Sequence, residues 1–89
     1  MILELGRTVA TPGALHALEE AGETPDQFLA RHEAGDWGTI GPEDWEENEL
    51  SMREGFRILS AYVLSTGWKI WVITEADRSV TTIMLPDEY

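Results

Sequence analysis

Cysteine is absent from the 89-residue sequence. That excludes a disulfide scaffold, a thiolate metal site and a cysteine nucleophile. Basic residues are scarce: six lysines and arginines stand against 17 acids, a formal net charge of −11. Such a chain repels DNA, RNA and anionic membrane surfaces at long range, so direct binding to nucleic acid or membrane is not expected, and a basic partner is favoured by electrostatic steering. No apolar run approaches the roughly 18 residues of a membrane span, and no basic stretch leads into an apolar secretion signal. The expected location is cytoplasmic. A phosphate-binding glycine loop and a dinucleotide fingerprint are both lacking.

Metal ligands are sparse too. The two histidines, His16 and His32, fall on separate predicted helices. With Asp26 or Glu33 they offer donor types that suit zinc or iron, but not at a ligand-like spacing. Residues 33–44 have the length and central Gly38 of a calcium loop, yet Gly35 and Trp37 occupy positions that require ligands. No metal and no cofactor is expected.

Hydrophobic residues at 43% and charged residues at 26% describe a globular chain, too apolar to stay disordered. The length supports a single domain over residues 1–89 with one small core. Charge is concentrated. Residues 19–54 hold twelve acids and two bases, while residues 1–18 balance and residues 55–89 carry a net −1.

The acidic part, residues 11–54, is punctuated like helices. Thr11-Pro12 places a capping hydroxyl before a proline at the first helical position. Ala14, Leu15, Ala17, Leu18 and Ala21 follow at helical spacing, and Gly22 can close the helix. Thr24-Pro25-Asp26-Gln27 is a capping box that starts a second helix, with Phe28, Leu29 and His32 facing inward and Gly35 at its end. Gly41-Pro42-Glu43-Asp44 starts a third, which runs to Glu54 and stops at Gly55, its first-turn acids suiting the helix dipole. This third helix is polar nearly all round. Its long apolar residues are Trp45, Leu50 and Met52, and Asn48 and Glu49 interrupt the face that Trp45 and Met52 share. Such a helix is mostly exposed or presents a face to something. Trp37 and Ile40 tuck the glycine-rich loop before it onto the core.

Residues 56–85 change period and read as a three-stranded antiparallel meander. Ser65-Thr66-Gly67 is a three-residue hairpin loop. Phe56, Ile58, Tyr62 and Leu64 share one strand face. In the next strand Trp68, Ile70 and Val72 share a face, and Trp71 and Ile73 lie on the other. Pro86 ends the third strand ahead of a short acidic tail. Residues 1–5 could add an edge strand. The expected fold is α+β, about three N-terminal helices packed on a C-terminal meander.

Carboxylates are plentiful, but acid catalysis needs one of them in an apolar pocket. Glu43, Asp44, Glu46, Glu47 and Glu49 look solvated, and the Glu75, Asp77, Arg78 turn fits a turn former better than a catalytic pair. No catalytic residue is assigned. The third helix instead carries five acids in seven residues, about one charge per 2 Å of axis against about one per 1.7 Å in duplex DNA. It could act as a DNA mimic, with Trp45 as anchor and Asp36 and Trp37 beside it. The competing expectation is that this charge serves solubility alone and that the chain dimerises through Trp71 and Ile73.

Four strings are distinctive: Leu5-Gly6-Arg7-Thr8-Val9-Ala10-Thr11-Pro12-Gly13-Ala14-Leu15, Phe28-Leu29-Ala30-Arg31-His32, Gly35-Asp36-Trp37-Gly38 and Ile73-Thr74-Glu75-Ala76-Asp77-Arg78-Ser79-Val80-Thr81-Thr82-Ile83. Together they resemble a family of small plasmid-related proteins from bacterial plasmids and integrative elements, some linked to type I restriction. The resemblance spans nearly the whole chain and transfers no settled activity. What it implies is a mobile-element context, in which small acidic proteins often inhibit host defence, as anti-restriction and anti-CRISPR proteins do. The resulting expectation is a non-enzymatic inhibitor that occupies the basic surface of a nucleic-acid-handling protein.

Overall fold

Each helix begins where the sequence places a cap before a proline. The structure, a computed structural model, describes residues 3–89. Its elements are β1 (Arg7–Ala10), α1 (Pro12–Ala21), α2 (Pro25–Glu33), α3 (Pro42–Glu54), β2 (Ile58–Val63), β3 (Lys69–Thr74) and β4 (Val80–Met84), followed by a 3-10 turn at Pro86–Glu88. Thr11 Oγ1 accepts from the Ala14 amide at 3.1 Å, and Gly22 closes α1 in the left-handed conformation. Gln27 Oε1 accepts from the Thr24 amide at 3.3 Å at the start of α2. Gly55 ends α3 at φ 78°.

The strands form one mixed sheet in the order β1-β4-β3-β2. The meander β2-β3-β4 is antiparallel, as its short connections require. A fourth strand, β1, pairs parallel to β4 from Arg7↔Val80 to Ala10↔Ile83. This corrects the three-stranded expectation. The added strand forms after residues 1–5, of which Met1 and Ile2 lie outside the described residues. Residues 3–5 are drawn aside instead: the Leu3 amide donates to the Glu33 carbonyl at 3.0 Å. Gly6, at φ 64°, then turns the chain beside the 78–79 backbone, where a Cβ would collide with the Arg78 carbonyl. The first meander strand also starts later than its composition suggests, at Ile58, leaving Phe56 exposed.

Alternation along the strands puts Tyr62, Leu64, Ile70, Val72 and Ile83 on the face that meets Ala14, Ala17, Leu18 and Phe28 of α1 and α2. A second cluster joins Leu3, Trp37 and Ile58, with Ile40, Trp45 and Met52 packed against it. On the opposite sheet face Ile73 is buried and the C-terminal Tyr89 packs against Trp71. The acidic tail is not loose. Glu88 Oε1 accepts from the Leu85 amide and the Thr11 hydroxyl, each at 2.7 Å. Those bonds, the Leu85 amide first, hold the Glu88 carboxyl below its usual pKa. Tyr89 meets Trp71 edge-on at 5.6 Å, and Arg57 reaches the Tyr89 ring and hydroxyl.

The outer edge of β2 is closed from within the chain. Asn48 of α3 donates through Nδ2 to the Leu59 carbonyl at 2.7 Å and accepts from the Leu59 amide at 3.2 Å. Two residues on, the Ala61 amide donates to the Trp37 carbonyl at 3.1 Å and the Ala61 carbonyl accepts from the Thr39 amide at 2.8 Å. Gly38, at φ 79°, allows that approach, since a Cβ there would strike the Ala61 carbonyl. Asn48, read from sequence as an interruption of an apolar face, is thus the residue that docks the helix. Replacing it leaves a buried amide and carbonyl unpaired, at a cost of about 2 kcal/mol. Asn48→Ala is expected to lower the urea midpoint by the corresponding amount, whereas Leu50→Ala, on the exposed side of the same helix, should shift it by under about 0.5 kcal/mol.

Candidate functional site

On α3 the inward positions are Asn48 and Ser51, with Trp45 and Met52 half-buried beside them. At about 100° per residue, Glu43, Glu46 and Glu47 then lie on the opposite, outward face with Glu49 on its flank, whereas Asp44 lies on the angular side of Asn48 and Ser51 and is exposed because it sits in the first turn. Glu43, Glu46, Glu47, Glu49, Leu50 and Arg53 border one open surface depression. Leu50 is 43% exposed at its centre. The five carboxylates fan over about 220° of the helix circumference and so do not form two parallel rows like the strands of a duplex.

Three of the residues expected at this surface belong elsewhere. Trp37 is 1% exposed, its indole edge-on to His32 at 5.6 Å. Asp36 pairs with Arg31 at 2.7 Å, receives the Gly38 amide through Oδ1, and its carbonyl accepts from the Tyr62 hydroxyl at 2.6 Å. The Arg31 bond is the main reason the Asp36 carboxyl sits below its usual pKa and the Arg31 guanidinium above its own. Trp45 turns its ring toward the core cluster, away from the acidic face. The apolar residue that does accompany the acids is Leu50. Its spacing of three and four from Glu47 and Glu46 was available in the sequence.

Three of the six basic residues are engaged within the chain. Arg31 pairs with Asp36, and Arg57 with Glu75 at 3.1 Å. Arg78, among the described residues the one non-glycine at positive φ, donates to the carbonyls of Phe56 at 2.8 Å, Ser51 at 2.9 Å, and Glu75 and Ala76 at 3.2 Å. It thereby ties the end of α3 to the β3–β4 turn. Asp77 Oδ1 accepts from the Ser79 amide at 3.0 Å within that turn. The polar turn is therefore a brace. Among the described residues no ion pair involves the α3 carboxylates.

The pair expected to mediate self-association is occupied within the chain. Ile73 is 1% exposed, and Trp71 is half-buried against Tyr89. The histidines also stay apart. His16, exposed on α1, lies 3.1 Å from Glu20. His32 is fully buried. Among the described residues no group of three or more potential ligand side chains converges.

His32 anchors a hydrogen-bonded chain across the sheet that sequence spacing does not reveal. The Thr81 hydroxyl donates to the Leu5 carbonyl at 2.7 Å. Its single proton spent, Thr81 accepts from Thr74 at 2.7 Å. Thr74 in turn must accept from His32 Nε2–H at 2.8 Å. Nδ1 is left bare and accepts from the Ser60 hydroxyl at 2.5 Å. A hydroxyl beside an imidazole has nucleophile–base geometry, but Ser60 and His32 are both 0% exposed, so the contact serves packing. Compared with protein families, curated proteins and solved structures, the chain finds no match.

Burial favours the neutral imidazole, in which Nδ1 accepts from Ser60, and pushes the His32 pKa from 6.5 down to about 4. Above pH 6.5 folded and unfolded states are both neutral at this residue. Between 6.5 and 4 the unfolded state binds the extra proton, so stability falls as pH falls, by about 3 kcal/mol in all, and levels below 4. Urea titrations from pH 7.5 to 3.5 should show that decline. His32→Gln should lower stability at pH 7.5 and flatten the part of the profile between pH 6.5 and 4.

Proposed function

We propose that the protein is a non-enzymatic, acidic binding protein of a mobile element. Its α3 face meets a basic surface on a nucleic-acid-handling component of host defence, of the restriction or CRISPR kind. The observation that carries this is the outward row Glu43, Glu46 and Glu47 around exposed Leu50, on a helix whose docking residue, Asn48, fixes which side faces out. Arg31, Arg57 and Arg78 are engaged elsewhere, and Arg53, the one base bordering the depression, forms no ion pair with these carboxylates, which leaves them available to an external cation. A fixed carboxylate row can displace counterions from a basic groove as phosphates do, and one exposed leucine supplies an apolar contact among them. The mobile-element context is what the sequence resemblance implies.

The test uses bacterial hosts that carry an active type I restriction or CRISPR system, challenged with phage. Expression of the wild-type chain should raise plating efficiency. The triple variant Glu43→Gln, Glu46→Gln, Glu47→Gln should lose most of that effect while its melting temperature holds or rises, since like charges at i, i+3 and i+4 repel. Capture of the target from lysate should weaken steeply between 50 and 200 mM salt, conditions set by about the range over which phosphate-like contacts are lost. Full potency of the triple variant would sink the proposal.

A further inference from the structure

The two edges of the sheet are not alike. The β2 edge is closed at Leu59 and Ala61 by Asn48 and residues 37–39. The β1 edge is open. The Arg7 amide donates to Ser79 and the Thr11 amide to Ile83, both on the β4 side. The alternation of a parallel ladder then turns the amides and carbonyls of Thr8 and Ala10 the other way. Among the described residues none pairs with them. Beside that edge runs a groove of about 240 Å3, walled by Leu15 of α1 and by Pro25, Asp26 and Leu29 of α2. Leu15 is 47% exposed.

We infer that β1 accepts an extended, basic segment of a partner protein as a fifth strand. Its backbone would pair with Thr8 and Ala10, and alternate side chains would enter the groove. The unpaired edge specifies an extended backbone, because only a strand can satisfy two outward amides and two carbonyls in one row. Leu15 and Leu29 favour an apolar side chain, and Asp26 a lysine or arginine near it. The net charge of −11 steers in a basic segment and opposes a second copy of the same chain. Arg7, the only base on β1, lies on the other sheet face with Val9, by strand alternation. This surface is at the sheet edge opposite α3, so it stands independently of the role proposed for the acidic helix.

The probe is a labelled, end-capped peptide Lys-Val-Ile-Thr-Val-Lys, which places one lysine on each face of the strand. Its control has glutamate for both lysines. Binding is measured in the Glu43→Gln, Glu46→Gln, Glu47→Gln background, so that adhesion to α3 does not contribute. The basic peptide should shift and protect the amides of Thr8 and Ala10 from hydrogen exchange, and the acidic one should not. Thr8→Pro removes an outward amide without touching the ladder to β4, a change edge strands tolerate. It should weaken binding at least tenfold. Leu15→Asp, at an exposed position, should do the same and serves if Thr8→Pro fails to fold. Asp26→Lys should reverse the preference between the peptides. Unchanged exchange at Thr8 and Ala10 under saturating peptide, or equal binding of both peptides, would overturn the inference. So would sedimentation showing a wild-type dimer that Thr8→Pro dissolves, because the occupant would then be a second copy.

Discussion

A sheet edge exposes a row of backbone donors and acceptors that must be paired, hydrated or covered. In this chain that constraint decides where α3 goes. The helix has little apolar surface of its own: its two buried side chains are Asn48 and Ser51. Its hold on the core comes from Asn48 acting as a short substitute strand for Leu59, from Trp45 and Met52 at the margin of the second cluster, and from Arg78 at its C-terminal end. Because Asn48 must point at β2, the positions half a turn away must point at solvent. The orientation of Glu43, Glu46 and Glu47 is thus a consequence of edge capping, and the acidic face is fixed in direction by a hydrogen-bond pair on the other side of the same helix.

The second organising element is polar as well. His32, Ser60, Thr74 and Thr81 draw α2, three strands and the Leu5 carbonyl into one chain of donors and acceptors in which every proton has a single direction. A hydrophobic replacement could fill the same space, but it would not fix which strand residues lie beneath α2. A fully satisfied network penalises any slip of register by leaving several groups unpaired at once. Two such devices, one at the edge and one in the core, compensate for a core limited by chain length.

What the sequence shows, and what it hides, divides along range. Helix starts at Thr11, Thr24 and Gly41 and the hairpin loop at Gly67 depend on neighbours within four residues, and the structure places them where those residues say. The parallel strand β1 depends on β4, some seventy residues away, and its four residues have no periodicity long enough to read. Asn48 looked like a flaw because its partner is a backbone, which no side-chain pattern encodes. Trp37 and Trp45, large and flanked by acids, suggest anchors, yet Trp37 is buried in the core and Trp45 packs half-buried against the same cluster. Leu50 is readable by helical spacing from Glu46 and Glu47, although it is smaller than the tryptophans. The carboxylate density of α3 was legible residue by residue; its fan over the helix surface required knowing which side Asn48 occupies.

The acidic field and the neutral histidine pull against each other, and magnitudes decide the outcome. A net −11 favours a protonated imidazole. At a mean separation of about 15 Å in water each charge contributes about 0.3 kcal/mol before screening, and a Debye length of about 8 Å cuts the sum to about 0.5 kcal/mol at physiological salt. Burial works in the opposite direction with about 3 kcal/mol, the equivalent of a pKa moved from 6.5 to about 4. Desolvation wins by several-fold, and the hydrogen-bonded chain keeps its single proton direction. At low salt the Debye length approaches 30 Å and the field rises toward 2 kcal/mol. The margin narrows without closing. The acidic exterior therefore leaves the buried histidine neutral, and among the groups packed on it is Trp37, whose ring lies edge-on against the imidazole.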